Sequence, residues 1–296
     1  MDKSAGPLYQ YYRCDSCGFI YLDHKPSISD YEDSGFYQTS ENRFKKLLSP
    51  LVGVFTHLRF RYLKKYSKTA GKVVDIGCGR GRFLNVAKNN GWKVFGIEPN
   101  KRSASYAKEQ FKIELLHGGL EDCKAKDEFD AVTLWHVLEH FPTPTKVIRR
   151  ASGLLKKGGI LVIAVPNIKS LQGSIGRERW YHLDPPRHLS HFSPELLTKM
   201  IEKNGLKVEA IHHFSTEYNF VGMVQTLQNR IQNSPNFIFN FLKRNKAALP
   251  TNALAWALGF VSSGVVAVLS PLLLLLSVFE AMARMGGTIT VVARKK

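Results

Sequence analysis

The run Val73-Val74-Asp75-Ile76-Gly77-Cys78-Gly79-Arg80-Gly81-Arg82-Phe83 constrains this chain more than any other feature. An apolar strand that meets three glycines at alternate positions must end in a tight turn. Its backbone then passes close to a ligand at the mouth of the next helix, the place where open α/β sheets bind nucleotides. Asp75, two residues before the first glycine, narrows the ligand class. A carboxylate there repels a pyrophosphate but tolerates a cationic amino-acid group. The spacing is Gly-x-Gly-x-Gly, not the Gly-x-Gly-x-x-Gly of dinucleotide folds. Glu98 closes the next apolar run, placed to accept two ribose hydroxyls. A turn used only for packing and a nicotinamide dinucleotide site are the competing readings.

The pattern continues beyond the turn. Val94–Ile97, Ile113–Leu116, Ala131–Trp135 and Ile160–Val165 read as short buried strands, with helices over 82–90, 101–111 and 145–155 between them. Such alternation predicts a parallel sheet covered on both faces. A helix at Ser193–Asn204, a strand at Leu206–His213 and a final strand at Thr288–Ala293 follow.

Together these motifs resemble the class I S-adenosylmethionine-dependent methyltransferases. Gly118-Gly119-Leu120-Glu121-Asp122 occupies the position that holds adenine in such enzymes, and Leu154-Leu155-Lys156-Lys157-Gly158-Gly159 matches their helix-to-fifth-strand turn. Trp135-His136-Val137-Leu138-Glu139-His140-Phe141 is similar to the fourth-strand motif of small-molecule members, quinone O-methyltransferases included. The resemblance covers residues 71–213 and 287–294. It implies an α/β fold, a Rossmann-like doubly wound seven-stranded sheet whose last strand enters antiparallel beside the fifth. It also implies S-adenosyl-L-methionine as cofactor. By this resemblance Gly77, Cys78, Gly79 and Gly81 line the methionine part, and Asp75 holds the amino group indirectly. Glu98 binds ribose, Pro99 and Asn100 border the adenine with Leu120 and Glu121, and Trp135 lies near the sulfonium. Cys78 reads better as a small residue that fits the turn than as a nucleophile.

Methyl transfer leaves the protein to align the acceptor and remove a proton. No Asn/Asp-Pro-Pro-Tyr follows the fourth strand, which counts against exocyclic base amines. His136, His140 and His188 are the candidate general bases, since imidazole titrates near neutral pH. His140 reads equally as a residue bonded to backbone at a helix end. A second constellation, Trp180-Tyr181-His182-Leu183-Asp184-Pro185-Pro186-Arg187-His188-Leu189-Ser190-His191-Phe192, follows the fifth strand. It resembles the Pro-Arg-His-Leu segment of a methyltransferase subgroup associated with sugar and surface-glycan biosynthesis. Tyr181, Arg187 and His191 are its candidate substrate contacts. Arg187 suits an anionic substrate, or else a salt bridge that holds the loop.

The two ends depart from this frame. Cys14-Asp15-Ser16-Cys17-Gly18 has the shape of one zinc-ribbon knuckle, but a structural zinc needs four ligands. Only His24 lies nearby. Residues 1–40 are therefore expected to form a degenerate ribbon-like module with no metal, before a Tyr-rich linker at Tyr31–Tyr37. Residues 41–70 form a basic amphipathic linker that Pro50 divides, and the methyltransferase domain spans 71–246 and 286–296. Between them, Ala247–Phe279 holds no charged residue. Two spans need about 20 apolar residues each, and one span strands the last strand away from its sheet. Pro271 breaks the run. A shallow membrane-associated helical hairpin over 247–285 satisfies all three facts, flanked by Lys243, Arg244, Lys246, Arg284, Arg294, Lys295 and Lys296; a buried helical pair or dimer face is the alternative.

Charge has to fit the same account. With 42 basic and 24 acidic residues the net charge is +18, which points to nucleic acid, an anionic membrane or an anionic substrate. Four cysteines and an N-terminus without an apolar core predict a cytoplasmic enzyme on the membrane face. The reading that joins these features is a methyltransferase acting on a small-molecule or lipid-linked acceptor, a sugar or glycolipid hydroxyl first and a quinone-like phenol second. An RNA methyltransferase and a non-catalytic scaffold are the alternatives, with nucleic acid not the expected partner. The sequence carries no signal of oligomeric state.

Overall fold

The computed structural model describes residues 9–24, 43–215, 217–232, 236–243 and 249–296. Tyr31–Tyr37, Arg244 and Lys246 lie outside them. Two short strands, β1 (Tyr11–Arg13) and β2 (Ile20–Leu22), precede a long helix α1 (Arg43–Tyr66). The alternating core then runs β3 (Lys72–Ile76), α2 (Arg82–Asn89), β4 (Lys93–Glu98), α3 (Lys101–Phe111), β5 (Leu116–His117), β6 (Phe129–Trp135), α4 (Pro144–Leu154) and β7 (Leu155–Pro166). After it come α5 (Leu171–Gly176), β8 (Ser190–His191), α6 (Pro194–Glu202), β9 (Leu206–His212), α7 (Tyr218–Ile231), α8 (Phe237–Lys243), α9 (Ala253–Met282) and β10 (Thr288–Lys295).

Seven strands form one sheet in the order β5-β4-β3-β6-β7-β10-β9. The first five are parallel, and β10 runs antiparallel to both β7 and β9, pairing Thr288 with Pro166 and Arg294 with Ile160. The continuous apolar run of β7 is explained by cover on both faces. Leu161, Ile163 and Val165 point into one core with Leu154 and Leu197, while Ile160, Val162 and Ala164 point into the other with Leu84, Phe60 and Leu63. The expected strand at Ile113–Leu116 shifts to Leu116–His117, because Ile113 is drawn into the core behind the end of α3 and its amide bonds to Ala107.

Three features differ from expectation. α1 continues through Pro50 as one helix. The N-terminal hairpin does not stand alone, because β2 pairs with β8 to make a three-stranded sheet that ties residues 9–24 to the Pro185–His191 loop. The hairpin expected over 247–285 is instead a single 30-residue helix, α9, with Pro271 inside it. Proline removes one hydrogen bond and kinks a helix at a cost of about 3 kcal/mol. Packing on either side offsets that cost, since Val266 and Leu273 both bury against Met223 of α7. The antiparallel partner of α9 is α7–α8: Gln228 bonds Ser262 and Ser263, and Phe237 packs on Trp256 and Phe260. A single apolar helix therefore returns to the sheet without stranding β10, because α7 and α8 form its outbound arm.

Candidate active site

The parallel strands deliver their C-terminal ends to one edge of the sheet. At the end of β3 the three glycines all take left-handed backbone, with φ of 68° at Gly77, 53° at Gly79 and 70° at Gly81. This is a conformation that side chains with a Cβ resist. A Cβ on Gly77 would lie 2.7 Å from Val137, whereas one on Gly79 would meet nothing within 4 Å. The turn is thus closed on the sheet side and open at Gly79. Cys78 is buried against this turn, and burial pushes its thiol up, so it is inert as a nucleophile.

Two acids frame the turn. Glu98 is buried; one carboxylate oxygen accepts from the Gly79 amide and the other from the Asn100 amide, both at 2.8 Å. Burial raises its pKa, and the two amides pull it back. Each oxygen keeps a further acceptor site. Asp75 accepts from the Thr133 hydroxyl at 2.6 Å, and burial lifts its pKa to about 7 against the opposing pull of Thr133 and Arg59. Pro99 and Glu121 are exposed beside this pocket, while Leu120 is buried under it. These residues suit a ligand with a cationic amino-acid end and a diol. Open backbone at Gly79, an acceptor pair at Glu98 and an acid at Asp75 are all in place.

Trp135 and His136 end β6. Trp135 is packed by Phe83 and Tyr62, and the Arg59 guanidinium sits 5.6 Å from its ring centroid. Arg59, from α1, is not marked by any local sequence pattern. It is held by Glu217 at 2.5 Å and reaches the Tyr218 hydroxyl at 3.3 Å. Burial works against its charge, but Glu217 more than restores it. Tyr218 opens α7 and lies on His136, ring centroids 3.8 Å apart. His136 has φ of 56°, a left-handed position unusual for a residue with a Cβ. Its Nδ1 is 3.3 Å from Glu139 Oε1, and its buried Nε2 has no hydrogen-bond partner among the described residues.

The His-rich loop folds over the same edge. Its backbone is stitched to the β6 end, with the Leu189 amide donating to the Glu139 carbonyl at 2.8 Å and the Ser190 hydroxyl to the Phe141 carbonyl at 3.1 Å. His140 and His188 meet ring to ring at 4.9 Å. His140 Nδ1 bonds the Arg187 carbonyl, and His188 Nδ1 bonds the His182 carbonyl. Arg187 itself is clamped to Asp184 at 2.6 Å, three positions away in the same loop. Tyr181 stacks edge-on against His182 and Phe239, and burial pushes its phenol up. His191 is 1% exposed under Tyr11 and Trp180, and burial lowers its pKa to about 4. His182 falls to about 3 for the same reason, with His136 adding to it. His136, His140, His188 and His191 thus do share one region, joined by Glu139, His182, Asp184 and Tyr218. A separate shallow groove along α1, lined by Gly53, His57, Arg61, Lys64 and Asn90, contains none of these residues.

A methyltransferase-domain family model matches residues 52–211, more than half of the chain. The chain belongs to the methyltransferase-domain family. It has the class I fold of S-adenosylmethionine-dependent methyltransferases, with S-adenosylmethionine as the cofactor. Among curated relatives, the ubiquinone biosynthesis O-methyltransferase of Stutzerimonas stutzeri is 34% identical over 122 residues, covering 37% of this chain and 51% of that protein. The chain thus spans about half the length of this relative. Its counterpart from Chromobacterium violaceum is 28% identical over 186 residues, 58% of this chain and 79% of its own. The crystal structure of an S-adenosylmethionine-dependent methyltransferase from Thermotoga maritima shares the fold with a TM-score of 0.51 at 19% identity, covering 90% of this chain and 100% of that one.

Proposed function

We propose that this enzyme methylates a hydroxyl of a lipid-linked small molecule at a membrane surface. The observation that carries the membrane part is the arrangement of α7 and α9. Their shared seam buries the polar Gln225, Gln228, Ser262 and Glu280 beside the apolar Met223, Val266 and Leu273, and Gln172 of α5 reaches into it. The outward side of α9 is apolar: Val268 is 81% exposed, Leu275 68% and Phe279 61%. A helix pair that buries several polar side chains in its seam and leaves large apolar groups turned out is unlike a water-facing design. It suits hydrocarbon, where polar side chains bond between helices. A contiguous apolar face of this length marks an interaction site. Arg284, which follows α9, supplies a cation for headgroups. We take the α7–α9 pair as the membrane-contacting unit, residues 9–24 as a ribbon remnant packed on the acceptor loop, and α1 as the basic arm over the cofactor pocket.

Tyr218 ties this surface to chemistry, because the first residue of α7 also forms the wall on which His136 lies. S-adenosylmethionine, when bound, supplies an electrophilic methyl group on a sulfonium. The glycine turn from Gly77 to Gly81 and Asp75 would hold its amino-acid end, Glu98 its ribose, Leu120, Glu121 and Pro99 its adenine, and Trp135 would face the sulfonium. His136 acts as general base. Glu139 receives its Nδ1 proton side and leaves Nε2 to take the acceptor hydroxyl proton. The acceptor oxygen gains a bond to carbon as the carbon–sulfur bond breaks. Tyr181, Arg187 and His191 shape the acceptor side. Sugar hydroxyls and ring phenols share this chemistry, and the relatives' named O-methylation in ubiquinone biosynthesis weighs toward a quinone-like phenol. Flotation with anionic vesicles combined with a methyl-transfer assay on a prenylated phenol and a glycolipid tests the proposal. Vesicle binding with an O-methylated lipid supports it, and transfer only to water-soluble acceptors in a protein that ignores vesicles refutes it.

A further inference from the structure

The β1–β2 hairpin has two unlike faces. Across its strands Tyr11 pairs with Leu22 and Tyr12 with Tyr21, and side chains alternate from face to face along a strand. Tyr12 and Tyr21 stack on the outer face, both exposed, with ring centroids 5.7 Å apart. Leu22 is buried on the inner face, which it shares with Tyr11.

That inner face meets one loop. Ile20 pairs with His191 and Tyr21 with Ser190, and the Leu22 amide donates to the Leu189 carbonyl at 2.9 Å. The Tyr11 hydroxyl reaches across 172 positions to donate to the Leu183 carbonyl, also at 2.9 Å. Its ring lies edge-on to His191, centroids 5.1 Å apart. Leu183 stands between His182, whose ring lies parallel to that of His136 at 6.4 Å, and Asp184, which holds Arg187. Leu189 is held from both sides: its amide donates to the Glu139 carbonyl at the end of β6, and its carbonyl accepts from the hairpin. All of these ties end within Leu183–His191, and none of them ends on the glycine turn or on Glu98. β8 has two residues, and β1 and β2 have three each. An isolated hairpin this short is marginal in water, so hairpin and loop order each other. A site carried on a loop keeps its geometry only through such supporting contacts.

We infer that the β1–β2 hairpin is the acceptor-specificity element of this methyltransferase, with Tyr11 as a positioning residue that acts through the Leu183 carbonyl on the His182–His191 loop. Burial and the nearby Asp184 carboxylate push the Tyr11 phenol up, which keeps its hydroxyl a donor, and a carbonyl can only accept. The inference deepens the proposed function and rests on its placing of the acceptor beside this loop. It assigns residues 9–24 to the choice of acceptor and leaves the cofactor to the turn after β3.

The test compares three full-length variants. Tyr11→Phe keeps the ring on His191 and loses the hydrogen bond, Tyr11→Ala loses both, and Tyr12→Phe alters only the outer face. Each is read by calorimetry with S-adenosylmethionine, by amide hydrogen exchange, and by methyl transfer to a prenylated phenol and a glycolipid in vesicles. Tyr11→Phe is expected to speed exchange across Leu183–His191 by about tenfold, the scale of one lost hydrogen bond. Exchange across Lys72–Glu98 and cofactor affinity stay unchanged. KM for the methylated acceptor rises by a similar factor while kcat stays within about twofold. Tyr11→Ala does more of both, and Tyr12→Phe does neither. Unchanged loop exchange, unchanged KM, or lost cofactor affinity with faster exchange throughout overturns the inference. If the unaltered enzyme methylates neither acceptor while loop exchange responds as expected, the acceptor assignment falls and the clamp on the loop stands.

Discussion

The two halves of the site are built on opposite principles. On the cofactor side every buried acid is answered: Glu98 by two amides, Asp75 by Thr133. On the acceptor side His136 Nε2, Glu139 Oε2, His182 Nε2 and both nitrogens of His191 are buried without hydrogen-bond partners among the described residues. Buried polar groups are ordinarily paired. In the proposed reading the acids of the first pocket are set by the fold itself, whereas the second keeps polar capacity for the acceptor.

The sharpest way to break the comparison is to remove the base from the unpaired side. His136→Gln is expected to lower kcat by about 10²- to 10⁴-fold, with S-adenosylmethionine affinity unchanged by calorimetry; a loss of affinity would merge the two halves. Glu98→Ala attacks the answered side. It frees two buried amides and removes the ribose acceptor, so cofactor affinity should fall by about 30- to 150-fold, on the order of 2–3 kcal/mol. Calorimetry reads that directly.

A pH titration sharpens the same contrast with a smaller effect. Asp75 is raised to about 7 in the folded protein. Its proton is therefore retained by the folded state between the ordinary carboxylate range and pH 7, so its contribution favours folding at low pH and is lost as pH rises through 7. A cationic amino group prefers the ionised form. Cofactor affinity should then weaken by at most about tenfold per pH unit below 7, and Asp75→Asn should flatten the profile. The smallest effect on the fold belongs to the outer face of α9. Val268→Asp with Leu275→Asp should shift stability by less than about 0.5 kcal/mol, as surface changes do, while releasing the protein from vesicles. A large loss of melting temperature would make that face part of a protein interface.

The answered half was the legible half. A glycine turn, Asp75 and Glu98 lie within 24 residues at strand ends, so their spacing alone carries the chemistry. β3, β4, β6 and β7 follow from apolar runs that a two-faced sheet requires. The acceptor half is assembled over distance: Arg59 meets Glu217 across 158 positions, and Glu139 meets His188 only because the Leu189 amide binds back to it. No local pattern records such pairs. The single helix α9 was hidden for a related reason, since Pro271 reads as a break until Met223, far away in sequence, is seen to hold both flanking turns.

The most direct test of the account is to incubate the full-length protein and vesicles with methyl-labelled S-adenosylmethionine and a lipid extract, then partition the products. The account predicts label in the lipid phase as an alkali-stable methyl ether, lost in His136→Gln and reduced when α9 carries Val268→Asp and Leu275→Asp. Label that enters RNA or only water-soluble molecules, with cofactor binding intact, would contradict it.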